Sequence, residues 1–178
     1  MGTHVTFIAV STIIFIATIL FLWIISTQQR LVILQDHVSQ SMSQIEIQLE
    51  NYIDILTTLL DLTMDYAKYE RDALLETIEF KKNVIIAAST SNDVMQRRRM
   101  ISEVLDRIAI VAERCPELMV NPLYTKTLGT VETIEDMLHT SCLIYNAHVT
   151  KLNREIRRFP ISIVAGILGF RQSVHLEE

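Results

Sequence analysis

The polar and apolar positions divide the chain into two regimes. From Val5 to Ile25 it reads VTFIAVSTIIFIATILFLWII, without a charged side chain. A helix rising ~1.5 Å per residue crosses the ~30 Å hydrocarbon core of a bilayer over that length. Trp23 stands near one end, where an interfacial indole is expected. A cleaved signal peptide fits poorly, because MGTH before the stretch has no Lys or Arg and ISTQQ after it lacks an A-x-A site. The stretch is read as a retained anchor. MGTHVT also satisfies the loose myristoylation pattern M-G-x-x-x-[ST], which a spanning helix makes redundant.

Beyond Arg30 the apolar positions become periodic. Leu31, Leu34, Val38, Met42, Ile45, Leu49, Tyr52, Leu56 and Leu59 follow in steps of three or four, which predicts a helix with one apolar face suited to bundle packing. The pattern continues less regularly through Leu74 and Ile78 to Ala88, and Ser-Thr-Ser-Asn-Asp at 89–93 then supplies a loop and an N-cap. Periodicity alone allows one continuous helix from the membrane to Ala88. A next helix carries Ile101, Leu105, Ile108 and Ala112 on one face and ends near Cys115, since Pro116 disfavours helical geometry in the residue before it. Asn121 followed by Pro122 is a strong start signal for a last long helix, running to about Phe159 before Pro160. Gly129 inside it costs roughly 1 kcal/mol relative to Ala.

Composition narrows the function. The chain has four Gly and three Pro, with no Gly between Gly2 and Gly129, which leaves too few turn residues for a many-stranded β fold. Its formal charge of −5 gives no bulk drive toward nucleic acid. Two Cys form neither a disulfide scaffold nor a CxxC motif. Cys142 lies about 30 Å along the last helix from its start, whereas Cys115 precedes that start, so a bridge between them exceeds the ~7 Å reach of a disulfide. Reduced thiols suit a cytoplasmic domain, while two buried thiols fit either side of the membrane.

Catalytic signatures are missing. There is no GxSxG, no phosphate-binding Gly loop, no HExxH, and no Glu-x-x-His pair such as a di-iron bundle uses. Glu135, His139, Cys142 and Asn146 share one helical stripe, but a single helix rarely closes a tetrahedral metal site. The expectation is therefore a non-enzymatic protein with no catalytic, cofactor or metal residues. A metal- or ligand-binding bundle is the competing class.

Several segments together resemble the LemA family of bacterial membrane proteins. These are the anchor, LVILQDHVSQSMSQIEIQLENYIDIL, DYAKYE, RIAIVAERCPELMVNPLY, YNAHVTKLNREIRRFP and VAGILGF. The most specific are Tyr145, Asn146, Asn153, Ile156, Arg157, Phe159, Pro160, Gly169 and Phe170, with Cys-Pro-Glu-Leu at 115–118. The resemblance implies an all-α fold, a single N-terminal transmembrane helix followed by an up-and-down, antiparallel four-helix bundle, and no established catalysis. The expected boundaries are an anchor at 1–27, a bundle at 28–159 and an apolar tail at 160–178. Where the family has an Ile-Pro-Asn-Leu turn, this chain reads GluAsnTyrIleAspIleLeuThrThr from Glu50, so a helix break near Asn51 to Asp54 is implied without the Pro that would mark it. Leu-Thr-Met-Asp-Tyr-Ala at 62–67, with Glu135 and Asp136, is similar to the magnetosome branch of the family, MamQ.

That topology would gather charge. The loop at 89–93 and the end of the last helix would both face the bilayer, bringing Lys81, Lys82, Arg97, Arg98, Arg99, Lys151, Arg154, Arg157 and Arg158 toward anionic headgroups of the inner leaflet, each worth up to ~1 kcal/mol near the surface. Glu46, Glu50, Asp54, Asp61, Glu113 and Glu117 would collect at the far end. Arg30 lies after the apolar stretch and no Lys or Arg before it, which favours a short N-terminus outside and a cytoplasmic bundle. The apolar residues 161–170 are expected to dock at the membrane interface or on the juxtamembrane helix. Asn146 and Asn153 sit one heptad apart, as register-fixing Asn residues do, and with Tyr145 could instead form a partner-binding ridge. The expected role is a scaffold or interaction module in membrane organisation, with lipids, further membrane proteins or further copies of the chain as partners and no nucleic acid.

Overall fold

The computed structural model describes residues 2–66 and 91–176, and among these every regular element is a helix. They are α1 (Gly2–Tyr66), α2 (Ser91–Arg114), the single turn α3 (Pro116–Met119), α4 (Pro122–Arg157) and α5 (Ile161–Leu168). Lys81, Lys82 and the irregular stretch from Leu74 to Ala88 lie outside the described residues.

The anchor and the apolar stripe that follows it form one helix. Leu31, Leu34, Val38, Ile45, Leu49, Tyr52, Leu56 and Leu59 are all buried, as the periodicity requires, and Met42 is half-buried beside a buried Ser41. The break implied near Asn51 to Asp54 is absent, because α1 continues through it. Its cause is local. No Pro removes an amide from the i→i−4 ladder there, Asn51 and Asp54 lie on the exposed face, and the hydroxyls of Thr57 and Thr58 donate back to the carbonyls of Ile53 and Asp54 at 2.7 and 3.1 Å. Ser91 to Asp93, expected in a loop, already form the first turn of α2.

The turns after α2 follow their residues. Helix α2 buries Val94, Ile101, Val104, Ile108, Val111 and Ala112, so Val104 takes the core position expected for the half-buried Leu105. It ends at Arg114 ahead of Pro116, and the short α3 inserts a fully buried Leu118. Asn121 then caps α4, its Oδ1 accepting the Leu123 amide at 2.8 Å, with Pro122 at the first helical position where its missing N–H costs nothing. Gly129 lies inside α4, which is continuous through it. At the other end α5 closes on Gly169, whose φ of 77° only glycine adopts freely, while the Phe170 amide reaches back to Ala165 O at 3.0 Å.

The chain forms two compact units. The first comprises Met1–Val38 with His148–Ser173, and the second Ser39–Ala147 with Val174–Glu178. Within the first unit, two contacts set the direction of α4 along α1. The His37 and His148 rings meet edge to face at 5.4 Å, and Arg30 Nη2 lies 3.3 Å from Glu155 Oε1. Seven residues back along α1 match seven residues forward along α4, so the two run in opposite directions there.

Candidate membrane-interface site

The anchor leaves a large apolar surface open. Phe7, Ile13, Phe15, Phe21 and Leu22 are each more than 60% exposed, and the stretch is long and apolar enough to cross a membrane. A water-soluble surface rarely carries a contiguous apolar patch of this extent. The exposed stretch is consistent with membrane anchoring.

The site is built just beyond this stretch, within the first unit. The register of the two contacts brings Arg157 level with Gln28, three residues or ~4.5 Å past Ile25. Glu155 is the centre of the cluster. Its side chain is 6% exposed, and Oε1 faces Arg30 at 3.3 Å and Arg158 Nη1 at 3.8 Å. Among the described residues Oε2 has no hydrogen-bond partner. Arg157 Nε donates to Asn153 O at 3.2 Å, which holds its guanidinium along the last turn of α4. Arg154, Glu155, Arg157 and Arg158 line an open recess of about 500 Å³. Cations in a last helical turn also complement the negative end of the helix dipole.

Immediately after this cluster comes an apolar helix. In α5, Val164 and Ala165 are buried, whereas Ile163 is 55% and Ile167 80% exposed, and Phe159 ahead of the helix is 76% exposed. Chemically, the neighbourhood joins four guanidinium groups, of Arg30, Arg154, Arg157 and Arg158, one buried carboxylate and an exposed apolar helix face.

The polar residues singled out in the sequence bind the tail of the chain itself. In the first unit the Asn153 amide pairs with the backbone of Ser173 in both senses, accepting from its N–H at 2.9 Å and donating to its carbonyl at 2.8 Å. In the second unit Asn146 does the same with Leu176, at 2.8 and 2.9 Å, and the Tyr145 hydroxyl donates to Val174 O at 3.0 Å. A primary amide presents one acceptor and two donors, so it can mimic the neighbouring strand an extended backbone would otherwise need. Leu176 is 3% exposed and anchors this segment.

The remaining basic candidates lie elsewhere. Arg97, Arg98 and Arg99 belong to the second unit. Arg98 and Arg99 instead border a recess of about 290 Å³ with Tyr52, Ser102 and Glu135. Tyr52 donates its hydroxyl to Glu135 Oε2 at 3.4 Å. Burial, reinforced by the adjacent Glu135 carboxylate and opposed by Arg98, raises the Tyr52 phenol well above its ordinary value. On the stripe weighed for a metal, Glu135 and Asn146 are thus engaged by Tyr52 and Leu176, His139 is exposed and Cys142 is buried outside any disulfide. Lys151 is exposed on α4 in the first unit.

Sequence reasoning missed Glu155, Arg30 as its partner, and the docked tail. A signal existed for the first: a lone acid inside the basic run from Lys151 to Arg158, at a position that keeps heptad step with His148.

Residues 41–178 match the LemA family profile, which is most of the chain and all of it past the first turns after the anchor. The chain belongs to the LemA family. LemA proteins are not known as a family of enzymes. A comparison with curated proteins finds no match.

Proposed function

We propose that this LemA protein is a non-enzymatic, single-pass membrane scaffold whose helical domain is held against the bilayer at two places, the anchor and the end of α4. The observation that carries this is the ion pair between Arg30, five residues after the apolar stretch, and the buried Glu155 near the C-terminus of α4. It supports a reading in which Arg154, Arg157 and Arg158 and the apolar α5 lie at headgroup depth. Basic residues at that depth are attracted to anionic lipid of the cytoplasmic leaflet, which supports a short N-terminus outside and a cytoplasmic domain. A short, strongly apolar helix following a basic cluster suits the interfacial region of a bilayer. The antiparallel run of α1 and α4 in the first unit supports an up-and-down arrangement of helices.

The test is a depth measurement on the full chain reconstituted into vesicles containing anionic lipid. Nitroxides at Phe159 and Ile163, in a variant lacking the two native Cys, should contact oxygen dissolved in lipid more than an aqueous nickel chelate. Full exposure of both labels to the chelate would refute the second membrane contact.

A further inference from the structure

The second unit holds a recess that membrane attachment does not use. It opens between α1, α2 and α4 with a volume of about 290 Å³, close to the ~300 Å³ lower limit of small-molecule pockets. The floor is apolar. Ile101 and Leu138 are buried against it, and Leu105, a core position by its spacing in the sequence, is half-buried along the opening. The inner wall carries the Tyr52 hydroxyl. Tyr52 is 3% exposed, and among the described residues its hydrogen-bond partner is Glu135 Oε2 at 3.4 Å, beyond the ~2.5–3.0 Å of a well-formed O–H···O bond. Burial keeps the phenol protonated at neutral pH, so it is a buried donor only loosely engaged. Arg98 and Arg99 border the recess, half-buried and exposed respectively. Neither is ion-paired among the described residues, and the charge of Arg98 reaches the Tyr52 phenol, whose rise it opposes.

We propose that this recess binds a small carboxylic acid with an apolar body. The ligand carboxylate takes the guanidinium groups of Arg98 and Arg99, whose planar donor arrays match its two oxygens. The Tyr52 hydroxyl, within the field of Arg98, supplies a further donor. The apolar body covers Leu105 and the floor behind it. Charge sets the class of anion: two guanidinium groups against the one carboxylate of Glu135 leave a single net positive charge, which a monoanion neutralises and a dianion exceeds. A merely basic patch would use neither the apolar floor nor the buried hydroxyl. Inorganic phosphate carries charge without an apolar body, and a neutral alcohol carries the body without charge, so the two together separate a built site from a charged or a greasy surface.

The experiment follows the fluorine NMR linewidth of para-fluorobenzoate with the full-length protein in non-ionic detergent micelles. Para-fluorobenzyl alcohol is the neutral counterpart and inorganic phosphate the competitor. The double variant Arg98→Gln, Arg99→Gln in the same micelles should bind the benzoate about tenfold more weakly than the wild type, because it loses charge-assisted hydrogen bonds. Tyr52→Phe, which keeps the ring and removes the hydroxyl, should weaken it several-fold. The alcohol should not distinguish the wild type from the double variant, and phosphate should displace the benzoate poorly. Glu135→Gln removes the acidic charge that borders the recess and should tighten benzoate binding, a gain that a misfolded protein cannot give. Equal broadening in the wild type and the double variant overturns the site. So does displacement by phosphate as effective as by unlabelled benzoate, or weaker binding in Glu135→Gln. None of these results moves the depth of labels at Phe159 and Ile163, so the membrane reading stands or falls separately.

Discussion

Arg30 and Glu155 approach to 3.3 Å from opposite solvent regimes: the arginine side chain is 57% exposed and the glutamate side chain 6%. The exposed partner contributes a screened charge, while the buried one depends on it. For this reason removal of the arginine should be felt mainly through the carboxylate it leaves behind. Arg30→Gln should lower unfolding stability by about 1 kcal/mol, the low end for a buried acid because Arg158 still lies 3.8 Å from Oε1. A double-mutant cycle with Glu155→Gln, read by denaturant unfolding in detergent, should give a coupling of similar size, and additive effects would mean the pair is not formed.

The tail is held by amides rather than by periodic side chains. Asn153→Ala removes an acceptor and a donor from Ser173, and Asn146→Ala does so for Leu176. Each should cost about 1–3 kcal/mol of local stability. Hydrogen exchange is the direct readout: the Ser173 amide should exchange faster in the first variant and the Leu176 amide in the second. Asn146→Asp, which keeps the acceptor and loses the donor to Leu176 O, should fall between wild type and Ala.

Gly129 lies near the start of α4, and a Cβ added there meets no atom of the described residues within 4 Å. No close approach explains the glycine, so it only adds flexibility to the unfolded chain. Gly129→Ala should stabilise the protein by up to ~1 kcal/mol, seen as a higher melting temperature. An unchanged or lower melting temperature would point to a packing partner against this face of α4.

Tyr52 gives a signed pH dependence. Its folded value is raised above the unfolded value of 10.0, first by burial and then by Glu135. The folded state therefore keeps a proton that the unfolded state releases, and stability from this group is fully present below pH 10 and lost as pH rises beyond it. Thermal melts above pH 10 should fall more steeply in the wild type than in Tyr52→Phe. Parallel curves would show that the phenol is not buried as described.

Much of the helical layout is legible in the residues. The stripe from Leu31 to Leu59 buries as its spacing dictates, and Asn121 with Pro122 marks the start of α4 through a cap that depends on two adjacent side chains. The break near Asn51 came from family likeness alone, and in this chain nothing at 51–54 interrupts the backbone ladder. Asn146 and Asn153 stand out in the sequence as a polar pair one heptad apart, but their partners are backbone groups of an irregular segment, which leaves no periodic trace to read. Glu155 was hidden for a different reason. In a run of Lys and Arg an acid looks like charge balance, and only the packing of α4 on α1 in the first unit shows that it is buried.

The central claim is the register that returns the end of α4 to the anchor, and cross-linking in native membranes tests it most directly. In a full-length protein without Cys115 and Cys142, cysteines replacing His37 and His148 should be joined efficiently by a short bis-thiol reagent, because those rings lie 5.4 Å apart. Cysteines at His37 and Glu155, displaced by seven residues or ~10 Å along the helix, should not. Efficient joining of the second pair without the first would contradict the register and remove α4 from the membrane surface.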